Sequence, residues 1–230
     1  MRSVPEAVPP DVMNPYTLIF DMRADLADRI AAFDDTGAHT VLDRLLAGYT
    51  VSTVITEILV PYLIDLGDRW AAGTASIAEE HFASSLIRGR LLGLAGAWGG
   101  GVGSRALLAC PSGERHDLGL ICFGLALRGH GWRITFLGAD TPRASLAGAT
   151  LKLRPDLVVL ASTTSDRLSA GAAALTGIGV GTVAIAGRGA TETLAAATGA
   201  MLLDDEPVAA ARAVRLRFAQ AVPARVTPAV

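Results

Sequence analysis

The sequence predicts an α/β protein with an all-helical N-terminal part, and three observations carry that prediction. Apolar residues recur at helical spacing from about residue 14 to Trp98. Beyond that point, short apolar runs alternate with helix-length segments. Between the two patterns stands Gly99-Gly100-Gly101-Val102-Gly103, which breaks any regular element and marks a domain boundary.

Residues 1–13 are Pro-rich and unpatterned and are expected to form a flexible tail. Asn14-Pro15 reads as an N-cap followed by proline at the first helical position, where a missing N–H costs nothing. Helices are predicted over residues 16–33, 40–46, 51–70 and 77–98, joined by short loops. That spacing suggests a four-helix bundle across residues 14–98. After a linker at 99–103, apolar runs at 107–109, 134–137, 157–161, 183–186 and 201–203 are strand-length. They predict a Rossmann-like, flavodoxin-like parallel sheet with helices on both faces over residues 104–221, followed by a tail at 222–230. Such a sheet receives ligands at the carboxyl ends of its strands, where strand order reverses. The informative loops are therefore 111–119, 162–166 and 187–189.

Composition narrows the function. Twenty Lys and Arg against 22 Asp and Glu leave a formal charge of −2, so there is no basic field to hold nucleic acid. Hydrophobic residues reach 51% and mean hydropathy is +0.42, yet the apolar stretches are interrupted. Residues 51–66 carry Glu57, Pro61 and Asp65, and 118–127 is too short to span a bilayer. The start, Met1-Arg2-Ser3-Val4-Pro5-Glu6, has no signal-peptide core, and two cysteines make no disulfide framework. A cytoplasmic protein without membrane contact is expected.

The first of the three loops reads Glu114-Arg115-His116-Asp117-Leu118-Gly119, directly after the first predicted strand. A neutral imidazole ligates a metal through one nitrogen, while a carboxylate two residues earlier accepts a proton from the other and fixes the tautomer. Gly119 would let a large planar ligand approach the helix start. The plainer alternative is a histidine at a helix N-terminus with Glu114 in solvent.

This Glu-x-His-x-x-Gly loop resembles the signature of cobalamin-binding domains. The resemblance implies that His116 ligates cobalt, displacing the cofactor's benzimidazole, whose tail threads into the α/β core. Glu114, Asp117 and Gly119 would then contact the cofactor. In that family a Ser-x-Ser/Thr/Leu segment after the third strand and a Gly-Gly pair after the fourth line the slot. Here Ser162-Thr163-Thr164 and Ala186-Gly187-Arg188-Gly189 stand at those places, implying roles for Ser162, Thr164, Gly187 and Gly189. Ala186 departs from the pattern by one methyl group.

A second pattern lies in the helical part. Trp70 is followed by nine residues and then Glu80-His81, which is similar to the Trp-x9-Glu-His motif of cobalamin-dependent photoreceptors of the CarH and LitR type. Gly73 can end one helix, and Ser76-Ile77-Ala78-Glu79 reads as a capping box that starts the next. The motif residues thus share one end of the bundle. By that resemblance Trp70, Glu80 and His81, with apolar contact from Ile77, would enclose the upper adenosyl group of adenosylcobalamin. Tryptophan at a helix end is also common in plain packing, and Glu-His in a first turn is common on solvated faces.

The resemblance implies a light sensor with no catalytic residue and no enzyme activity. Loss of the adenosyl group would release the bundle or change the association of a homo-oligomer, signalling to an unknown protein partner. Two departures stand out. The DNA-binding relatives carry a winged-helix domain before the bundle for which this sequence has no room, so repression by this chain alone is not expected. A histidine follows the motif tryptophan in the light-sensing repressors, whereas this chain has Ala71. Photocobilins, a similar group, add a bilin such as biliverdin; Cys110 and Cys122 are the thioether candidates, though both fall in apolar segments. The alternatives are a corrinoid methyl-carrier protein, which lacks the tryptophan motif, and a passive cobalamin carrier. A mutase is disfavoured because no substrate barrel fits.

Overall fold

The computed structural model describes residues 15–221. The two expected tails, and Asn14 of the expected N-cap, lie outside the described residues. The helical part contains α1 (Pro15–Ala31), α2 (Asp35–Gly48), α3 (Val51–Val54), a π-helical turn (Ile55–Leu59), α4 (Val60–Ala71) and α5 (Ile77–Leu94). Then follow β1 (Arg105–Pro111), α6 (Leu118–Gly129), β2 (Arg133–Thr141), α7 (Arg143–Leu153), β3 (Leu157–Ala161) and α8 (Ser165–Ala173). The described residues end in β4 (Thr182–Ala186), α9 (Glu192–Thr198), β5 (Met201–Leu202) and α10 (Pro207–Ala221).

Caps explain where several helices begin. Helix α2 starts earlier than its apolar pattern because Asp34 accepts the Gly37 N–H at 2.9 Å. Thr50 does the same for Thr53 at the start of α3. The expected 51–70 helix widens into a π turn, where the Val60 N–H reaches Ile55 O. Pro61 enters just beyond and has no N–H for the Glu57 carbonyl, so the regular ladder is already broken there.

All strands are parallel, in the order β2-β1-β3-β4-β5. Strand order reverses between β1 and β3, which places a ligand crevice at the carboxyl ends of those two strands. Alternation divides the core. Ala106, Leu108 and Cys110 of β1 join Leu157, Val159 and Ala161 of β3 on the α6 and α10 face. Leu107, Ala109, Val158 and Leu160 face α7 and α8.

Helix α6 is buried at every position from Leu120 to Leu127, because the sheet covers one side and α10, α5 and α3 cover the rest. One hydrophobic cluster therefore runs from Ile19 in α1 to Val214 in α10 and joins the helical and α/β parts. Trp98 closes its edge: its ring stands 5.4 Å from Phe136. A Cβ at Gly124 would come within 3.3 Å of that indole. The Trp98 carbonyl accepts the Ile134 N–H at 2.7 Å, and Gly103 O accepts Arg133 Nε, so the residue before the glycine run and its last glycine are both tied to β2. No described helix is long and apolar enough to cross a membrane.

Candidate functional site

The loop after β1 is built around one buried carboxylate. Glu114 Oε1 accepts the backbone N–H of His116 at 2.9 Å and faces its Nδ1 at 2.6 Å. Oε2 accepts the Ser162 hydroxyl at 2.8 Å, both the N–H and hydroxyl of Thr163 at 2.7 Å, and Arg167 at 3.3 Å. Burial opposes charge on Glu114. The hydrogen bonds from Thr163 and His116, backbone and side chain, outweigh it and hold the carboxyl well below the usual carboxylate range. In the neutral ring an ionised Glu114 favours the proton on Nδ1, which leaves Nε2 as the nitrogen able to ligate on an imidazole that is 76% exposed.

Neighbouring elements hold this loop. Asp140, at the end of β2, adopts a left-handed φ of 49°, rare for a residue with a side chain. There its N–H donates to Glu114 O at 2.7 Å and its Oδ1 accepts the Gly113 N–H at 2.6 Å. Asp117 leads into α6 and is 3% exposed; its carboxylate receives a bidentate bond from Arg88 of α5, at 2.8 to 3.1 Å. A Cβ at Gly119 would meet nothing within 4 Å, so open space lies over the first turn of α6.

The β3 and β4 loops interlock. A Cβ at Gly189 would fall 2.3 Å from the Thr164 backbone, and one at Gly187, where φ is +85°, 2.7 Å from Ser162 O. The Gly189 N–H donates to Ser162 O at 3.0 Å, and the Ser165 hydroxyl to Gly189 O at 2.7 Å. Ser162 thus serves Glu114 on one side and accepts the Thr164 N–H at 3.1 Å on the other.

The tryptophan motif sits on the α4–α5 turn. Gly73 takes a φ of +73°, and the Arg69 carbonyl accepts the N–H groups of Thr74 and Ala75. The expected capping box forms only by half: Ser76 accepts the Glu79 N–H, but the Glu79 carboxylate turns to Arg69 at 2.9 Å. A guanidinium already fixed by Asp65 is a stronger partner than one backbone amide. Trp70, near the end of α4, is 53% exposed, Ile77, at the start of α5, is 63% exposed, and His81, one turn further along α5, is exposed as well. Glu80 accepts the Ser84 hydroxyl at 2.6 Å and lies 3.6 Å from His81 Nε2.

Glu80, Ser84 and Arg88 are spaced i, i+4, i+8, so they share one face of α5. Eight residues at 1.5 Å rise put Glu80 about 12 Å along the helix from Arg88, and Arg88 grips the residue next to His116. Of the residues that matter here, the sequence reading missed Thr163, Arg167, Asp140 and Arg88. Thr163 stood inside a quoted segment, and a basic residue near the site was a signal available at Arg167; nothing local marked the other two.

A corrinoid fits the loop geometry. The donor set is one imidazole; among the described residues no group of three or more His, Cys, Asp or Glu is arranged to hold a metal ion. One imidazole with no further protein donors suits a metal that a macrocycle already holds, and the open space at Gly119 would leave the loop free of a side chain where a flat ring could approach.

Comparison with known proteins agrees. Residues 22–92 match the family described as the B12 binding domain. Over 143 residues the chain is 40% identical to the HTH-type transcriptional repressor CarH of Myxococcus xanthus, covering 62% of this chain and 48% of that protein. It is 40% identical over 140 residues to the repressor CarA of the same organism, covering 60% and 47%. The chain spans about half the length of these curated relatives. The monomethylamine corrinoid protein of Methanosarcina barkeri shares the fold, with a TM-score of 0.73 at 16% identity, covering 86% of this chain and 99% of that one. These matches support a cobalamin cofactor and make about 60% of the chain similar to CarH and CarA.

Proposed function

We propose that the chain is a cobalamin-binding light sensor that uses adenosylcobalamin as its chromophore, and not an enzyme. The observation that carries this reading is the Glu114–His116 pair: a buried, ionised carboxylate that leaves Nε2 free on an exposed imidazole at the carboxyl edge of the sheet. His116 would hold cobalt from below, and the exposed Trp70, Ile77, Glu80 and His81 would meet the adenosyl group from above. When bound, adenosylcobalamin supplies a cobalt–carbon bond that visible light cleaves. The chain's part is to make the upper contacts conditional on that group, so that its loss shifts a conformational or association equilibrium.

The output proposed is protein association in a homo-oligomer instead of direct contact with nucleic acid, because a net charge of −2 offers no field for phosphates; the location proposed is the cytoplasm. A bilin such as biliverdin would have to be held without a thioether, since Cys110 and Cys122 are buried.

The test is an absorption spectrum of protein loaded with adenosylcobalamin in darkness and again after green light, with scattering-coupled size exclusion on both samples. The expected result is a spectrum with the signature of a protein nitrogen on cobalt that is lost in His116→Ala, where binding is also weaker, together with a light-dependent change in elution of the wild type. Identical elution of apo, dark and illuminated protein, with equal affinity for methylcobalamin, would refute the sensor and favour a methyl carrier.

A further inference from the structure

We infer that Arg88 is a positioning residue that latches the helix bearing Glu80 and His81 to the loop bearing His116. The inference rests on the cofactor reading above. Arg88 places both of its bonding nitrogens on Asp117, with Nε at 3.0 and 3.1 Å and Nη2 at 2.8 Å from the carboxylate. A bidentate fork fixes angle as well as distance, which a single ammonium contact does not. Asp117 is almost wholly buried, makes no side-chain cap to its own helix and immediately follows His116. Its carboxylate is therefore committed to α5 instead of α6. Because Glu80, Ser84 and Arg88 lie on one face of α5, the latch sets the height of the upper residues over the His116 loop. Apolar packing between α5 and α6 brings the helices together; the ion pair fixes their register.

The residues above and below the ring would then be held at one spacing before any ligand arrives. Preorganisation of that kind matters most for a ligand that touches both sides. Adenosylcobalamin does so, whereas hydroxocobalamin has no group to reach Trp70 and Glu80. Losing the latch should penalise the first far more than the second.

The experiment uses the full chain with Arg88→Met, which keeps the aliphatic stem, Arg88→Lys and Asp117→Asn. Hydrogen exchange is measured first without ligand, across α5 residues 84–91 and the first turn of α6. The result expected is faster exchange at both places in Arg88→Met and Asp117→Asn. Affinities are then compared: Arg88→Met should lose about tenfold or more for adenosylcobalamin, in the range seen when supporting partners of a ligating residue are removed. Hydroxocobalamin affinity, and the spectral signature of histidine on cobalt, should stay close to wild type. Arg88→Lys should recover part of the adenosyl affinity but not all of it.

Unchanged exchange in ligand-free Arg88→Met overturns the latch. Faster exchange with an unchanged ratio of adenosyl to hydroxo affinity reduces Arg88 to fold support and overturns the positioning role. A wild-type protein that binds no cobalamin defeats the functional reading, and the exchange data still decide whether the latch exists.

Discussion

Replacing Glu114 with Gln changes one atom and reverses the logic of the His116 loop. Oε2 accepts four donors and Oε1 two. The amide therefore keeps its oxygen toward Ser162, Thr163 and Arg167 and turns its NH2 toward His116. The His116 backbone N–H loses its acceptor, and Nδ1 must accept instead of donate. The ring proton moves to Nε2, the nitrogen proposed to bind cobalt. One lost bond to a buried charged group costs about 1.5–3 kcal/mol, and cobalamin affinity should fall about 10- to 100-fold. The pH dependence separates this from a packing defect. Because the folded protein holds the Glu114 carboxyl well below its unfolded value, its stabilisation is complete above about pH 4.3. It is lost as pH falls from there toward the folded value, at up to about 1.4 kcal/mol per unit. Urea unfolding from pH 7 to pH 3 should show the gap between wild type and Glu114→Gln narrowing as pH drops. Imidazole nitrogen NMR should show the tautomer exchanged. Equal stability at pH 7 with the proton still on Nδ1 would refute the reasoning.

Gly119→Ala should stabilise the ligand-free protein by about 0.5–1 kcal/mol, since the site lies in an exposed first helical turn with open space above it. The same methyl group should weaken cobalamin binding, and denaturant melts beside ligand titrations check both signs. Cys110 and Cys122 are buried, and burial pushes both thiols up to about 12. Neither should react with a thiol reagent at pH 8 until the protein is unfolded, when both should.

What was legible in the sequence follows from how local each signal is. Strand positions were readable because β1 and β3 are buried on both faces and so contain little but apolar residues. The Glu114–His116 contact was readable because two residues of separation leave few geometries. Arg88 and Asp117, 29 positions apart, meet only because α5 packs on α6, and no periodicity announces that. Asp140 was hidden differently: its role depends on a left-handed backbone imposed by the loop it supports. The capping box failed on Glu79 because Arg69, 10 residues earlier, is brought within reach by the turn at Gly73.

The continuous core limits what a signal can move. Separating the helical part from the α/β part would bare the side of α6 that α5 and α3 cover, on a helix buried at every position from Leu120 to Leu127. At about 1.5–3 kcal/mol for each buried apolar side chain, baring even three of them costs roughly 5–9 kcal/mol, comparable to a domain's entire stability of about 5–15 kcal/mol. Losing a stacked adenosyl group from Trp70 removes only about 1–3 kcal/mol. Full release of the helical part, as the sequence suggested, is therefore too expensive for the chemistry proposed to drive it. The affordable change is smaller and lies where the contacts are: the α4–α5 turn, whose Trp70 and Ile77 are already exposed. On the proposed reading, a shift there would alter the surface offered to a second copy of the chain while α6 stays covered, which is why association, more than domain opening, is the readout to measure.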